Sequence, residues 1–237
     1  RELDAVSREL LARLWAAGAG PVDPAGPLVF DLDSTICPVY GRGKQGAGFG
    51  YTKVRGYHPQ LATLPETGQV LFSRLRGGPA GAARGAKSFL TETISRLRAA
   101  GATGQLTVRA DSAFYSRAVL TTARKFDVRF SVTARQDKRI RAAIAAIPDS
   151  ALKPIPYWLS TPEVSGADVA ETAYTCFAHT RDAPRCGWSC AGCVRPRARS
   201  WRCSPTSTTT PWSPTATVTC CRSRPITAAT PPGWRSR

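Results

Sequence analysis

The spacing of apolar and polar residues over residues 1–150 predicts a domain built from both strands and helices. Short apolar runs bounded by Gly, Pro or other turn residues are typical of strands, and apolar positions that recur every three to four residues are typical of amphipathic helices. The helical pattern predicts helices at 3–17, 85–100, 116–126 and 137–147. The strand pattern predicts strands at 28–33, 50–64, 69–77, 105–111 and 127–135.

The order of these elements is three strands, then helix, strand, helix, strand and helix. This order is typical of an α/β fold of the ribonuclease-H-like (retroviral-integrase-like) kind, in which helices flank a mixed sheet. The helix near the N-terminus ends at a Gly- and Pro-rich linker, GAGPVDPAGP. We therefore predict an N-terminal helix and linker over 1–27, followed by the core from residue 28.

Residues 186–237 differ in composition from the rest of the chain. They hold six of the eight cysteines and four of the six tryptophans, and they contain no Asp or Glu. A zinc site in CGWSCAGC is not favoured, because no second pair of ligands follows at a regular spacing. Synonymous codons for this tail can be chosen so that reading them one base out of register gives an apolar β-type run and a DRDGD turn. The interpretation we favour is a tail translated out of frame, which is expected to remain disordered.

Much of the positive charge lies near the C-terminus. The chain has a net charge of +17, but residues 1–178 carry 23 basic and 15 acidic groups, a net charge of +8. A moderately basic body is compatible with binding to a polyanion such as DNA, although charge alone does not establish it. No apolar run is long enough to span a membrane, and no signal peptide is evident at the N-terminus. We therefore expect a cytoplasmic, nucleoid-associated protein, and the absence of Met suggests a fragment of a longer reading frame.

The apolar run LVF is followed by Asp31 and Asp33, and then by Ser34 and Thr35. Two chemistries use a carboxylate at such a strand end. In one, Asp31 attacks phosphorus and Asp33 acts as acid or base, a pattern that resembles the first motif of haloacid-dehalogenase-type phosphatases. In the other, Asp33 and Asp111, each at the end of a predicted strand, share divalent metal ions that promote phosphoryl transfer.

A longer resemblance favours the second chemistry. The segments DLDSTICPVYGRGKQGAGFGYTKVRGYHPQL, VRADSAFYS and SVTARQDKRIRAAI resemble the DDE-type transposases of bacterial insertion sequences, in particular the group described as transposase DDE domain group 1. The resemblance covers about residues 1–185. It implies that Asp33 and Asp111 are catalytic and bind Mg²⁺ or Mn²⁺, and that Asp31 is a buried neighbour in the strand or supports the ligands.

The resemblance also implies what the chain lacks. The third acid of the family is a Glu in a helix beyond a β-rich insertion, and no such Glu occurs in this chain. The incomplete catalytic core would then span 28–150 and the start of the insertion 151–185, with YWLS and VAETAYTCF as its first strands. A fragment of this kind is expected to be inactive in cleavage and strand transfer of insertion-sequence DNA.

The expected partner is double-stranded DNA, at the ends of the insertion sequence and at the target, and a homodimer is a further expectation. A non-enzymatic basic DNA-binding module remains an alternative to both enzymes. The glycines of YGRGKQGAGFGY do not predict a nucleotide site, because no GK[ST] follows. Basic residues in two segments are candidates for contact with DNA phosphates, although a solvated basic surface explains them about as well. These candidates are Lys53, Arg55, His58, Arg135, Lys138, Arg139 and Arg141.

Overall fold

The computed structural model describes residues 2–41, 43–135, 137–155, 164–172, 174–177, 191–198 and 215–219. The helices within these residues are α1 (Glu2–Leu14), α2 (Ala86–Ala99), α3 (Arg117–Lys125) and α4 (Lys138–Ala145). The strands before α3 are β1 (Leu28–Ser34), β2 (Cys37–Pro38), β3 (Gly48–Phe49), β4 (Arg55–Tyr57), β5 (Gln60–Leu64), β6 (Gln69–Arg74) and β7 (Leu106–Ala110). The later strands are β8 (Arg129–Ala134), β9 (Lys153–Ile155), β10 (Val164–Thr172), β11 (Ala191–Ala198) and β12 (Thr215–Thr219).

The helices and strands predicted over residues 1–150 are confirmed, with bounds that differ by a few residues. The predicted strand 50–64 is divided into β4 and β5. The division falls at His58 and Pro59, and Pro59 has no backbone N–H to continue the pairing. As a result, β4 joins β2 and β3 in a separate small sheet of order β2-β4-β3, which the sequence did not predict.

The main sheet is mixed. Among the described residues its order is β6-β5-β1-β7-β8-β12-β11-β10-β9. The five strands β6, β5, β1, β7 and β8 form its first half, in which β5 runs antiparallel to β1 and β6, while β7 runs parallel to β1 and β8. This half matches the predicted mixed α/β sheet with flanking helices.

One face of these five strands forms the core. Leu28, Phe30 and Leu32 alternate along β1 and are at most 2% exposed, because successive side chains of a strand point to opposite faces. They belong to one apolar cluster with residues of α2 and α3. The rings of Phe72 in β6 and Phe89 in α2 stack with their centroids 4.8 Å apart. Burial of this apolar face holds the helices on the sheet.

Arg96 is a charged residue on this packed side, and its side chain is only 1% exposed. Its guanidinium lies 4.1 Å from the centre of the Phe72 ring and makes ion pairs with Glu92 at 3.0 Å and Asp4 at 3.5 Å. Glu92 also pairs with Arg8 of α1 at 2.8 Å. Burial alone would raise the pKa of Glu92, but hydrogen bonds from Arg8 and Arg96 outweigh it and lower that pKa. The cluster joins α1 to α2.

The tail departs from the expectation of disorder in two places. β11 pairs with β10, and β12 pairs with both β11 and β8, so these strands extend the main sheet. The expectation that all of 186–237 is disordered is therefore wrong for β11 and β12, whose backbones satisfy the hydrogen bonds of neighbouring strands. Of the strands expected in the β-rich insertion, YWLS lies outside the described residues, and the beginning of VAETAYTCF forms the end of β10.

Candidate active site

The two candidate acids lie side by side at the carboxyl ends of β1 and β7. These strands are parallel, and their register pairs Leu32 with Ala110 as the last matched residues. Asp33 and Asp111 are the next residues along each strand. Since neighbouring strands lie about 4.8 Å apart, the two backbones are close enough for both carboxylates to reach one ion.

The two acids also share a face of the sheet. Asp31 and Arg109 are paired in the same register, and their side chains are hydrogen-bonded, so both point to one face. Asp33 and Asp111 each follow two residues later, and side chains in extended backbone alternate with a period of two. Asp111 keeps this alternation because its backbone is extended, at φ −77° and ψ 179°. Both acids therefore lie on the face opposite the apolar core.

Each acid is exposed and has one carboxylate oxygen fixed by the backbone. The N–H of Ser34 donates to Asp33 Oδ1 at 2.6 Å, and the N–H of Ala113 donates to Asp111 Oδ1 at 3.0 Å. The second bond caps the 3₁₀ turn Ser112–Phe114. Within the described part of the chain, no hydrogen bond or ion pair engages Oδ2 of either residue. One oxygen on each acid is thus oriented and the other is available.

The donor set fits a hard divalent cation in part. Carboxylate oxygens are the ligands that Mg²⁺ and Mn²⁺ prefer, and Mg²⁺ is commonly held by one or two carboxylates. Among the residues that the structure describes, no group of three or more His, Cys, Asp or Glu side chains could bind a metal. Asp33 and Asp111 can therefore supply two anionic ligands, and no described residue supplies a third.

Asp31 is held in an ion pair. Arg109 Nε donates to Asp31 Oδ1 at 2.7 Å, and Arg109 Nη2 donates to Oδ2 at 2.8 Å. The hydrogen bond to Asp31 raises the pKa of Arg109 despite its partial burial. The resemblance implies that Asp31 is either a buried neighbour in the strand or a group that supports the ligands. Its side chain is 31% exposed, so the first alternative is wrong and the second stays a prediction. Both of its oxygens are occupied, which disfavours its use as a nucleophile.

His58 supports the end of β1 from the interior. It is 2% exposed, its Nδ1 lies 2.6 Å from the carbonyl oxygen of Ala80, and its Nε2 lies 3.0 Å from Ser34 Oγ. Because a carbonyl only accepts, Nδ1 carries a proton, and in the neutral ring Nε2 accepts from the Ser34 hydroxyl. The expectation that His58 contacts DNA phosphate is at odds with this burial. The sequence HPQL contains no signal for this role.

The other basic candidates lie in two regions. Lys53 is exposed in the turn before β4, whereas Arg55 is half-buried and donates to the carbonyl groups of Gly41 and Lys44. Arg135 follows β8 at the same edge of the sheet as the two acids, and its Nε donates to the carbonyl of Ser112 at 3.1 Å. The remaining candidates are exposed on α4, whose start follows the carboxyl end of β8: Lys138, Arg139 and Arg141.

Comparison with known proteins identifies a family and shows likeness to solved structures. The family model described as transposase DDE domain group 1 matches residues 4–189. No curated protein matches the chain. A piggyBac transposase, solved by cryo-EM in a synaptic complex with hairpin DNA, is 12% identical to the chain with a TM-score of 0.35. That likeness covers 61% of this chain and 30% of the piggyBac chain, so the matched part spans less than a third of that protein.

Proposed function

The chain belongs to the transposase DDE domain group 1 family, and on this premise we propose that it is part of an enzyme that cuts and rejoins insertion-sequence DNA. The observation that carries the proposal beyond the family is the placement of Asp33 and Asp111. They follow the last matched residues of parallel β1 and β7 and lie on one face of the sheet. Convergence of carboxylates from different strands is what a metal-dependent phosphoryl transfer requires.

The proposal includes a ribonuclease-H-like core. The strand order β6-β5-β1-β7-β8 supports it, since three antiparallel strands are followed by two strands parallel to the first. Helices α2 and α3 cross over between β6 and β7 and between β7 and β8. This order brings the carboxyl ends of β1 and β7 together at one edge, although the acids are 78 residues apart in sequence.

Asp33 and Asp111 would hold Mg²⁺ or Mn²⁺ through their available oxygens, with the Oδ1 atoms kept in place by backbone N–H groups. A bound ion would polarise the scissile phosphodiester and favour ionisation of the attacking hydroxyl. The Asp31–Arg109 pair lies on the same face, two residues before Asp33 and Asp111. In this pair Arg109 neutralises the carboxylate of Asp31. His58 fixes Ser34, and with it the backbone that carries Asp33.

We propose that the chain as written is inactive. None of the described residues supplies a third carboxylate beside Asp33 and Asp111, so a bound ion would have one anionic ligand fewer than in a complete site and a lower affinity. The match to the family ends at residue 189, close to the change of composition at residue 186. This supports a change of reading frame there. Sequencing the encoding DNA tests it: an insertion or deletion of one or two bases that restores an acidic helix is expected, and an intact frame would contradict it.

The proposed partner is DNA, with a homodimer as the assembly. Exposed cations of α4 and Lys53 flank the edge that carries the two acids, and cations near a scissile phosphate position the backbone without reading its sequence. None of the helices within the described residues is long and apolar enough to cross a membrane.

Binding of Mn²⁺, measured by electron paramagnetic resonance, tests the metal site without the need for catalysis. Asp33→Asn and Asp111→Asn are each expected to weaken binding by on the order of tenfold or more. Asp23→Asn is the matched control, because Asp23 is also exposed and accepts a backbone N–H, from Ala25 at 3.0 Å, but precedes β1 at its other end. Unchanged Mn²⁺ affinity in both site variants would contradict the proposal.

The same variants separate the alternatives. A haloacid-dehalogenase-like phosphatase would hydrolyse p-nitrophenyl phosphate and lose that activity with Asp31→Asn. A non-enzymatic DNA-binding module would bind DNA equally well with Asp33→Asn and Asp111→Asn, and its affinity would fall steeply with salt, without any site for Mn²⁺.

A further inference from the structure

The segment between β1 and β5 has an unusual surface. Residues 36–58 contain four basic residues and no acidic residue. Three of the aromatic side chains are strongly exposed: Tyr40 is 91% exposed, Phe49 66% and Tyr51 81%. Exposed apolar rings grouped in one short segment commonly mark a binding surface, because a partner that covers them removes apolar surface from water. We call this segment the aromatic platform.

The platform has a defined backbone. Its strands β2, β4 and β3 pair across Cys37–Tyr57, Pro38–Gly56 and Phe49–Arg55. The sheet packs directly against Gly78, where a Cβ would collide with the carbonyl oxygens of Gly48 and Gly56. Glycine at position 78 therefore permits contact between backbones. Within YGRGKQGAGFGY the same applies to Gly50, where a Cβ would lie 2.7 Å from the carbonyl oxygen of Gly78.

Two side chains of the platform form hydrogen bonds to the backbone of the platform itself. The Arg55 guanidinium donates to the carbonyls of Gly41 and Lys44, and the Tyr57 hydroxyl donates to the carbonyl of Gln45 at 2.8 Å. These bonds hold the loop that follows Tyr40. Arg55 is thus a support for the platform. Among the described residues of the segment, Lys44 and Lys53 are its exposed cations, and Lys53 lies in the turn after Tyr51.

Tyr51 lies close to the candidate active site. Its ring centre is 6.0 Å from that of His58, at an interplanar angle of 53°. His58 in turn binds Ser34, the residue next to Asp33. Lys53 adopts a left-handed backbone, at φ 57°, and its N–H closes the turn by donating to the carbonyl of Gly50 at 3.0 Å. The turn therefore exposes an aromatic ring at Tyr51 and, two residues later, the amine of Lys53.

We propose that the aromatic platform binds unpaired nucleotides of a DNA strand beside the active site, with a base stacked on Tyr51 and a phosphate on Lys53. This inference rests on the proposed function and specifies how that function engages its DNA. The faces of bases are hidden in a duplex and become available only when the strand is opened or a base is flipped out. Aromatic rings among cations, in a segment that itself contains no acid, match such a strand in both shape and charge.

The experiment uses the full chain and two labelled DNAs, a 20-nucleotide single strand and the blunt duplex of the same sequence, followed by fluorescence anisotropy. Tyr51→Ala is expected to lower the affinity for the single strand by about five- to a hundredfold, and Tyr51→Phe should retain most of it. The affinity for the duplex should change less than twofold. Lys53→Gln should weaken both and reduce the dependence on salt by about one counterion.

A base analogue reports the stacking itself. When 2-aminopurine occupies the strand, its fluorescence should be quenched by the wild-type chain and by Tyr51→Phe, but not by Tyr51→Ala. Phe126→Ala is the matched control, because Phe126 is 38% exposed with Lys125 5.9 Å from its ring centre, and it precedes β8 at the opposite edge of the sheet. Phe126→Ala should change neither the affinity for the single strand nor the quenching of 2-aminopurine.

The outcomes separate this inference from the proposed function. Wild-type binding to duplex alone, or binding to single strands that Tyr51→Ala leaves unchanged, would overturn the stacking role while DNA remains the partner. A chain that binds neither DNA would overturn both. Because Tyr51 is largely exposed, its replacement is not expected to unfold the chain, and circular dichroism of each variant checks this.

Discussion

The two faces of the central strands are formed by alternate residues of the same segments, yet they differ in almost every property. On β1, Phe30 is fully buried, while its neighbour Val29 is 39% exposed. The face of Phe30 is apolar and packed by helices. The face of Val29 carries Asp31, Asp33 and, from β7, Arg109. One face supplies the stability of the fold, and the other carries the side chains to which we assign the chemistry.

The difference teaches that stability and activity can be changed separately in this sheet. Substitutions on the packed face should change the free energy of unfolding, while those on the polar face should change metal or DNA binding with little effect on stability. Three pairs of variants test this separation.

The largest effect is expected from Phe30→Ala, set against Val29→Ala. Removing the buried ring leaves a cavity in the core and should cost about 3–5 kcal/mol of unfolding free energy. Val29→Ala removes a partly exposed side chain and should cost about 1 kcal/mol or less. Unfolding in urea measures both. Similar losses for the two variants would contradict the assignment of the faces.

A smaller loss is expected from Arg96→Met, which keeps the length of the side chain but removes its charge on the packed side. The bonds to Glu92 and Asp4 disappear, and α1 is held less firmly, at a cost of about 2–3 kcal/mol. Arg13→Met is the control, because Arg13 forms an exposed pair with Glu9 and should contribute less than about 0.5 kcal/mol. Hydrogen exchange in α1 should rise only for Arg96→Met.

The smallest effect is expected on the polar face itself, from a double-mutant cycle of Asp31→Asn and Arg109→Gln. Both side chains are about a third or more exposed, at 31% and 44%, so the coupling energy should not exceed about 1 kcal/mol. The affinity of each of these variants for Mn²⁺ should stay within threefold of the wild-type value. A large loss of Mn²⁺ binding with Asp31→Asn would instead place Asp31 among the ligands.

The sequence predicts the part of the molecule that depends on local pattern. The periodicity of 85–100 locates α2, and the apolar alternation in LVFDLD locates β1 with Asp33 at its end. The approach of Asp111 also follows, because parallel strands bring their carboxyl ends to one edge of a sheet.

The rest depends on contacts between distant segments. Arg96 looks like a surface residue in the helical pattern, and only the approach of α1 and Phe72 buries it. The sequence predicts His58 as a cation in a basic strand. Only the loop that follows β6 brings the carbonyl of Ala80 against its ring. The small sheet escapes prediction because β2 and β3 are two residues long, too short to show a period.

The parallel register of β1 and β7 limits how this domain can tolerate changes in length. An extra residue in the loop before β7 can be accommodated without altering the pairing. An extra residue inside β7 would instead reverse the orientation of every later side chain, which would turn Asp111 toward the helices and leave Asp33 facing solvent alone. Related chains that vary in length should therefore carry their insertions outside Leu106–Ala110.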